Sequence, residues 1–348
     1  MFIFHKNKIL LFAALFITYI HSYSQNTQKR KNLDHLFQQA QQSKAFNGNV
    51  LVAQHGKILY EKALGRADAS GTISLNNTYR FHIGSIAKEF NAVGIMMLKE
   101  QGKLKLDDPV SKFLPELPTW AKTIKIIHLL QYTSGLPQIK WNEVKQDSDN
   151  MQALQKTESL DFEPGTKYDY NNNNVFLQRR IIEKITNMSF NSFVAQKILE
   201  PLGIKNALID PDEKEKLFAK SYNNKGKQDQ IVYNISGWTA LNIRDFYTWS
   251  EAINSFKIIN AESTLELFKP FSQGNQTGLG EGAIQQGKVI RHIHDGAAFN
   301  YQALLVSTPD YTIILVTNNK QNNVEEISSS IQSILAGKPF KEIERPTH

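Results

Sequence analysis

The sequence predicts an α/β protein of the α+β kind, with one antiparallel sheet built from both ends of the chain. Two short alternating runs on either side of His55-Gly56 predict a hairpin, and three further strand patterns occur between residues 288 and 317. The intervening stretch, roughly 66–285, has mostly helical periodicity interrupted by turn residues. One sheet flanked by helices, with a mostly helical region inserted at its side, satisfies this order of elements most simply.

Residues 1–24 differ from the rest of the chain and have the pattern of an export signal. Lys6 and Lys8 form a basic start, an apolar run follows from 9 to 20, and Ser24 ends a Ser-Tyr-Ser run that suits a signal peptidase. The apolar run is shorter than the roughly 20 residues that a bilayer-spanning helix needs. We therefore expect cleavage near Ser24 and a periplasmic or secreted protein. An uncleaved signal that anchors the protein to the membrane is the alternative.

Composition and charge restrict the classes of function. The chain has 348 residues and no cysteine, so an exported form must be stabilised by its core without disulfides. Removal of residues 1–24 lowers the formal net charge from +7 to +5, because it removes Lys6 and Lys8 and no acid. The remaining charge is spread out, with no basic stripe and no nucleic-acid motif. We therefore expect no nucleic-acid partner, and at most a peripheral contact with the cell envelope.

The mature chain, residues 25–348, is predicted to be one domain. Strand patterns fall at 49–54, 57–63, 288–294, 301–307 and 311–317, and we expect the first hairpin to be central in the sheet. Helical patterns fall at about 26–46, 86–101, 124–130, 175–185, 190–199, 238–253 and 324–335. The sheet part would comprise about 30–65 and 286–340, and the helical part about 66–285. An active site is expected in the cleft between these two parts.

Ser85 is the first candidate for chemistry, and it opens a helical pattern directly after Gly84. Ser85 and Lys88 are three residues apart, so a helix would place both side chains on one face. Unpaired backbone N–H groups point outward in the first helical turn. A hydroxyl, an amine and N–H donors together are what an acyl-transfer serine needs. The same pair is also explained as a helix N-cap followed by a solvated lysine, because Ser is a preferred cap.

Tyr170-x-Asn172 is the second candidate. A tyrosine at a turn near a lysine can carry a proton if its pKa is lowered, and the carboxamide of Asn172 is suited to hold a substrate amide. The structural alternative is an asparagine-rich turn, residues 171–174, that caps the helix from Val175.

His294-Asp295-Gly296 is the third candidate. His294 ends a strand pattern, and Gly296 leaves room for a substrate to approach the backbone. A plain strand-turn is one alternative, and a metal site is another, because His292 and His294 share a strand face as zinc ligands sometimes do. No third ligand stands out and no His-Glu-x-x-His occurs, so we expect no metal and no cofactor. Gly-x-Ser-x-Gly is also missing, which disfavours an α/β-hydrolase.

In order and rough spacing, the three motifs resemble those of the serine β-lactamase and penicillin-binding protein superfamily. The likeness is greatest to the class C-like branch, which also holds D-alanyl-D-alanine carboxypeptidases, esterases and D-amino-acid peptidases. The family's Ser-x-x-Lys, Tyr-x-Asn and His-x-Gly motifs match this chain at Ser85, Tyr170 and His294. Supporting stretches extend the likeness over about residues 34–335, among them 102–110, 133–137, 164–166, 201–203 and 238–245.

The resemblance implies a β-lactamase-like fold and acyl transfer through a covalent serine ester. It assigns catalytic roles to Ser85, Lys88 and Tyr170, and substrate binding to Asn172, His294, Gly296 and Ala297. Lys88, neutral because it is buried, would take the proton of Ser85, and Tyr170 would share or relay it. The N–H groups of Ser85 and Ala297 would form the oxyanion hole, while His294 would bind a substrate carboxylate or assist Tyr170.

Three departures from the family pattern bear on the substrate. Tyr132 stands where a histidine is usual, Asn171 replaces a common serine, and Ala297-Ala298-Phe299 replaces a glycine-rich run and would narrow the cleft. The motifs serve a D-amino-acid peptide, an ester or a β-lactam equally well, so the sequence does not choose among them. A non-catalytic binding or regulatory protein on the same fold is the alternative to a hydrolase, and a metal-binding protein is the third possibility.

Overall fold

The computed structural model describes residues 25–320 and 324–343 of the chain. The strands in this part are β1 (Gly48–Gln54), β2 (Lys57–Leu64), β3 (Phe81–His82), β4 (Leu208–Ile209), β5 (Thr239–Leu241), β6 (Glu281–Gln285), β7 (Lys288–Ala298), β8 (Tyr301–Ser307) and β9 (Tyr311–Thr317). Six of them form an antiparallel sheet in the order β2-β1-β9-β8-β7-β6. The other three form a small sheet in the order β3-β5-β4. The large sheet therefore unites both ends of the chain, as predicted.

The helices cover the large sheet and fill the middle of the chain. They are α1 (25–42), α2 (Lys88–Glu100), α3 (Ile126–Leu130), α4 (Asp147–Gln155), α5 (Asn172–Thr186), α6 (Phe190–Phe193), α7 (Ile243–Asn254), α8 (Ala261–Phe268) and α9 (Val324–Leu335). Short 3₁₀ turns lie at Gly84–Ala87, Val110–Lys112, Thr119–Lys122 and Glu200–Leu202, and a π-helical turn lies at Val194–Leu199. No helix of the described residues is long and apolar enough to cross a membrane. The predicted export signal, residues 1–24, lies outside them.

The large sheet is buried on both faces, which explains the nearly continuous apolar runs of β1, β8 and β9. Side chains alternate between the two faces of a strand. On β1, Val50 and Val52 pack with α1 and α9, whereas Leu51 belongs to the larger core that contains α2, α5 and α7. Helices α1 and α9 therefore close one face of the sheet, and the other face supports the helical region.

Four sequence predictions need correction. The first hairpin is not central, because β2 is an edge strand and only β1 lies inside the sheet. Strand β6 had been missed, and β7 does not stop at His294 but runs through Gly296 to Ala298. The helix expected from Trp238 begins at Ile243. Residues 239–241 pair as β5 instead, and the side chain of Asn242 caps the helix.

Truncation of Ile331 should destabilise the fold, because this fully buried side chain joins α9 to the sheet. We expect Ile331→Ala to lower the free energy of unfolding by about 2–5 kcal/mol, as deletion of a buried aliphatic side chain does. Urea denaturation followed by circular dichroism measures the loss. Ser329→Ala, an exposed position on the same helix, is the control and should leave the unfolding midpoint nearly unchanged. Equal midpoints for both variants would contradict the packing described for α9.

Candidate active site

Ser85 lies in the 3₁₀ turn Gly84–Ala87, called the serine turn below, between β3 and α2. Neither the serine turn nor α2 has a side-chain N-cap, so the hydroxyl of Ser85 does not serve as one. Its Oγ instead accepts a hydrogen bond of 2.8 Å from Nζ of Lys88. Ser85 itself is half-buried, and its hydroxyl is paired with the amine that the spacing of the two residues predicts.

Lys88 is the first residue of α2 and is almost wholly buried. Its Nζ lies 5.0 Å from the ring centroid of Tyr170 and 5.2 Å from that of Trp238. Burial, and then the positive charge of Arg179, lower the pKa of Lys88 to about 7, although Asp295 acts in the opposite direction. A substantial fraction of the amine is therefore neutral at pH 7 and able to accept a proton from Ser85.

The pKa of Tyr170 is raised, whereas its role as a proton carrier was considered on the condition of a lowered pKa. Burial raises the pKa of Tyr170 to about 12, even though a hydrogen bond to Ser85 acts to lower it. The condition of a lowered pKa is therefore not met, and the phenol is protonated at neutral pH. Its hydrogen bond with Ser85 nevertheless places it within reach of the reacting hydroxyl, where a neutral phenol can donate or relay a proton.

The asparagine-rich turn divides its tasks between neighbouring residues. Asn171 is the N-cap of α5, and its side chain accepts a hydrogen bond of 2.8 Å from the backbone N–H of Asn173. The capping explanation therefore applies to Asn171 and leaves the side chain of Asn172 available. The Oδ1 atom of Asn172 is buried without a hydrogen-bond partner in the part of the chain that the structure describes. A buried carbonyl oxygen of this kind is suited to accept a hydrogen bond from a substrate N–H.

Strand β7 lies against the serine turn through two glycines. A Cβ added to Gly296 would clash with the carbonyl oxygen of Ile83 and approach the backbone nitrogen of Ser85 to 3.0 Å. A Cβ added to Gly84, where φ is +57°, would clash with the backbone nitrogen of Ala297. The space at Gly296, expected to admit a substrate, is thus occupied by the serine turn. This contact brings the N–H groups of Ser85 and Ala297 to one region, as an oxyanion hole requires.

His294 contacts a buried carboxylate behind this region. Its Nδ1 lies 2.7 Å from Oε1 of Glu89, and Nε2 of His292 lies 3.2 Å from the same oxygen. Nε1 of Trp249 donates to the other carboxylate oxygen at 2.6 Å. Burial alone would raise the pKa of Glu89, but His292 and then His294 hold it to about 2.

The contacts of the histidine pair bear on the two uses considered for it. Between residues 25 and 320, the hydrogen bonds of His294 include none to Tyr170 or Ser85, so its expected part in substrate binding stays a prediction. His292 and His294 do share a strand face, as the metal hypothesis requires. Within the described ranges, however, no group of three or more His, Asp or Glu is placed to hold a metal ion.

Four residues around the site were not singled out from the sequence as functional. Glu89, Trp238, Arg179 and His82 each border Lys88 or the serine turn. The Nδ1 atom of His82 accepts a hydrogen bond of 2.9 Å from the backbone N–H of Gly84 and so fixes the start of the serine turn. Trp238 begins one of the supporting stretches, 238–245, but neither it nor the other three residues belong to the three motifs, so their proximity to the site is seen only in three dimensions.

The fold and the buried Ser85–Lys88 pair together define a protein of the serine β-lactamase and penicillin-binding protein superfamily. The Beta-lactamase family model matches residues 33–333, and the chain belongs to this family. It is 28% identical to penicillin-binding protein 4* of Bacillus subtilis strain 168, over 91% of this chain and 78% of that protein. It is 27% identical to the putative penicillin-binding protein PbpX of the same strain, over 83% and 75%.

Solved structures confirm the fold. A class C β-lactamase superposes with a TM-score of 0.75 at 19% identity, covering 91% of this chain and 98% of that one. FmtA from Staphylococcus aureus superposes with a TM-score of 0.74 at 23% identity, covering 92% and 90%. The family resemblance and the antiparallel sheet flanked by helices are thereby confirmed. At these identities, the structural neighbours carry no information on the substrate.

Gly296→Ala should impair catalysis of an ester substrate. The added methyl group must push β7 away from the serine turn and displace the N–H of Ala297 relative to that of Ser85. We expect kcat/KM for 4-nitrophenyl acetate to fall about 10²-fold, the effect of losing one oxyanion donor. Gly56→Ala is the distant control: its φ of +73° strains the turn between β1 and β2, but an added Cβ meets no atom within 4 Å, so kcat/KM should stay at the wild-type value. Wild-type activity in Gly296→Ala would contradict the proposed oxyanion hole.

The pH profile of hydrolysis should report the ionisation of Lys88. Because the neutral amine is the base, kcat/KM for the same ester should rise about tenfold per pH unit below the pKa and become level above it. The pKa of about 7 places the bend near neutrality. Lys88→Met should lower kcat/KM by about 10²–10⁴-fold, the range for loss of a general base. Lys103→Met, an exposed lysine just beyond α2, is the control, and full activity in Lys88→Met would exclude Lys88 as the base.

Proposed function

We propose that the protein is an exported serine hydrolase that cleaves an ester or amide through a covalent acyl-serine intermediate. The observation that carries this proposal is the 2.8 Å hydrogen bond from Nζ of Lys88 to Oγ of Ser85, in a setting that lowers the pKa of Lys88 to about 7. In the alternative, a helix N-cap followed by a surface lysine, the amine would be solvated and ionised. Burial of this amine against a half-buried hydroxyl is the arrangement that activates a serine nucleophile.

The reaction begins when Oγ of Ser85 attacks the carbonyl carbon while the neutral Lys88 amine accepts the hydroxyl proton. Negative charge then develops on the carbonyl oxygen, where the N–H groups of Ser85 and Ala297 stabilise it. The bond to the leaving group breaks as the proton passes through the phenol of Tyr170 to that group. Water then attacks the acyl-serine, which releases the carboxylic acid and restores the Ser85 hydroxyl and the Lys88 amine. These steps require neither a metal nor a cofactor.

The substrate belongs to one of three classes that this chemistry serves equally, namely D-amino-acid peptides, esters and β-lactams. Two relatives carry the name penicillin-binding protein, which supports a substrate or inhibitor of related chemistry for this chain. The buried, unpartnered Oδ1 of Asn172 supports a substrate with an N–H next to the reacting carbonyl. The proposed location is the periplasm or the exterior of the cell, from the pattern of residues 1–24.

A non-catalytic protein on the same fold is the alternative, and covalent labelling separates the two. A fluorophosphonate should form one covalent adduct per wild-type chain, detected by intact mass, and the modified peptide should contain Ser85. The labelled protein should lose its esterase activity. Ser85→Ala should show neither labelling nor hydrolysis, whereas the exposed-serine control Ser329→Ala should match the wild type. Hydrolysis by Ser85→Ala at the wild-type rate would overturn the nucleophile assignment. Stoichiometric labelling by penicillin without turnover of any ester or D-peptide would favour the non-catalytic protein.

A further inference from the structure

A pocket of about 400 Å³ lies beside the candidate active site, at the end of β7. Its walls include the rings of Trp141, Tyr233, Trp238 and Phe299, together with His82, and it is called the aromatic pocket below. These residues come from three separate loops and from β3. The motifs that identify the family include only the segment that begins at Trp238, so the reaction itself does not explain the other rings.

The aromatic pocket shares its boundary with the reacting groups. Trp238 lines the pocket, and the centroid of its ring also lies 5.2 Å from Nζ of Lys88. Ala298, another lining residue, directly follows Ala297, whose N–H belongs to the proposed oxyanion hole. His82 lines it from the other side and holds the N–H of Gly84 at the start of the serine turn. A group attached to an acyl carbon on Ser85 is therefore well placed to enter this pocket.

The chemistry of the walls favours a neutral, flat, apolar group. No Asp, Glu, Lys or Arg lines the aromatic pocket, and burial, followed by the charge of Lys88, lowers the pKa of His82 to about 3, so its imidazole is uncharged at neutral pH. Trp141 and Phe299 remain 43% and 37% exposed, so their rings are not covered by the chain itself. Burial of a charged group among such rings would be costly, whereas aromatic rings stack or pack edge to face.

Two polar features bear on the aromatic pocket: one fixes its shape, and the other concerns hydrogen bonding in its wall. The side chain of Asn234 donates hydrogen bonds to the carbonyl oxygens of Trp141, at 3.2 Å, and Val144, at 2.6 Å, and so ties two walls together. The hydroxyl oxygen of Tyr233 is buried without a hydrogen-bond partner among residues 25–320 and 324–343. An unpaired buried hydroxyl is costly, so a water molecule or a ligand group that reaches it would stabilise this wall.

The turn that carries Phe299 is also held in place. It occupies the two-residue turn between β7 and β8 with φ of +52°, a left-handed conformation that is unfavourable for a bulky residue. Asp229 holds the following residue, Asn300, through its backbone and side-chain nitrogens at 2.8–2.9 Å and so maintains the turn. The strained residue presents its ring to His82 and Tyr233, with centroid distances of 6.2 and 6.4 Å. The held turn therefore fixes the position of the Phe299 ring at the mouth of the aromatic pocket.

We propose that the aromatic pocket binds the acyl part of the substrate and selects acyl groups that carry a neutral aromatic ring. This inference rests on the proposed acyl-serine reaction. The acyl side is chosen because Tyr170 delivers the proton to the leaving group, and Tyr170 packs against Tyr132, with a centroid distance of 4.8 Å, outside the pocket lining. The leaving group therefore lies towards Tyr170, and the acyl chain continues towards the end of β7.

Three thioesters test this assignment without placing a ring in both halves of the substrate. They are the ethyl thioesters of phenylacetic and acetic acid and the benzyl thioester of acetic acid. The released thiol is measured with Ellman's reagent, which finds no cysteine in this protein. We expect wild-type kcat/KM to favour the phenylacetyl over the acetyl ethyl thioester by at least about tenfold after correction for alkaline reactivity, as burial of one ring predicts.

Two variants should reduce that preference. Phe299→Gly removes the ring and also relieves the positive φ, so folding is not at risk, and Trp141→Ala removes an exposed wall. Each should lower the phenylacetyl-to-acetyl ratio by about five- to tenfold. Phe271→Ala is the matched control, because its ring is 39% exposed and lies outside the pocket. An unchanged ratio in both pocket variants overturns the proposal, and loss confined to the benzyl thioester overturns the acyl assignment.

Binding to the Ser85→Ala protein separates this inference from the hydrolase proposal. Phenylacetamide, a neutral aromatic acyl probe, should quench the tryptophan fluorescence of Ser85→Ala and bind at least about fivefold more weakly when Phe299→Gly is added. If no thioester is cleaved by the wild type but this binding is observed, the hydrolase proposal fails and the aromatic pocket stands. If thioesters are cleaved but phenylacetamide binds equally with and without Phe299→Gly, the pocket proposal fails alone.

Discussion

The burial of Lys88 is the constraint on which the site depends. An ammonium group in water would hold its proton far above neutrality, whereas removal from water, followed by the charge of Arg179, lowers the pKa of Lys88 to about 7 and supplies the base of the proposed reaction. The rings that enclose the amine, those of Tyr170 and Trp238, come from segments about 80 and 150 residues further along the chain. Three distant segments of the helical region must therefore pack together before this amine is enclosed, so folding and activation of the serine are coupled in the proposed reaction.

The adjacent residue, Glu89, shows that burial alone does not determine ionisation. Lys88 and Glu89 are both buried in the first turn of α2, yet the pKa of the lysine is lowered towards its neutral form and that of the glutamate is lowered towards its charged form. The difference lies in their partners, because Glu89 contacts Trp249, His292 and His294, whereas Lys88 faces aromatic rings and one hydroxyl. Donors satisfy the carboxylate, while nothing comparable offsets the desolvation of the amine. One helical turn thereby holds two opposite electrostatic environments.

Sequence patterns predicted contacts between near neighbours well and burial poorly. Ser85 and Lys88 meet because helical spacing fixes their separation. The strands at the two ends of the chain could be recognised because alternation is a local pattern, and these strands form one sheet. The role of Tyr170 as a proton carrier was made conditional on a lowered pKa, but its pKa rises, since desolvation depends on segments distant in sequence. Gly296 was expected to leave room for a substrate, with a plain strand-turn as the alternative, yet it continues β7, where the glycine permits the close contact with Ile83. Trp238 was likewise assigned to a helix, whereas it directly precedes β5 and lies beside Lys88.

Strand β7 joins catalysis to selection of the substrate. Within a few residues it carries Gly296, which lies against the serine turn, Ala297, whose N–H faces the proposed oxyanion, and Ala298 at the edge of the aromatic pocket. Seven paired positions fix this strand to β8, so a ring held near Phe299 also sets the position of the carbonyl carbon bonded to it. A group bound at the pocket can therefore improve alignment at Ser85 as well as affinity, and the effect of the pocket should then be seen in kcat and not only in KM.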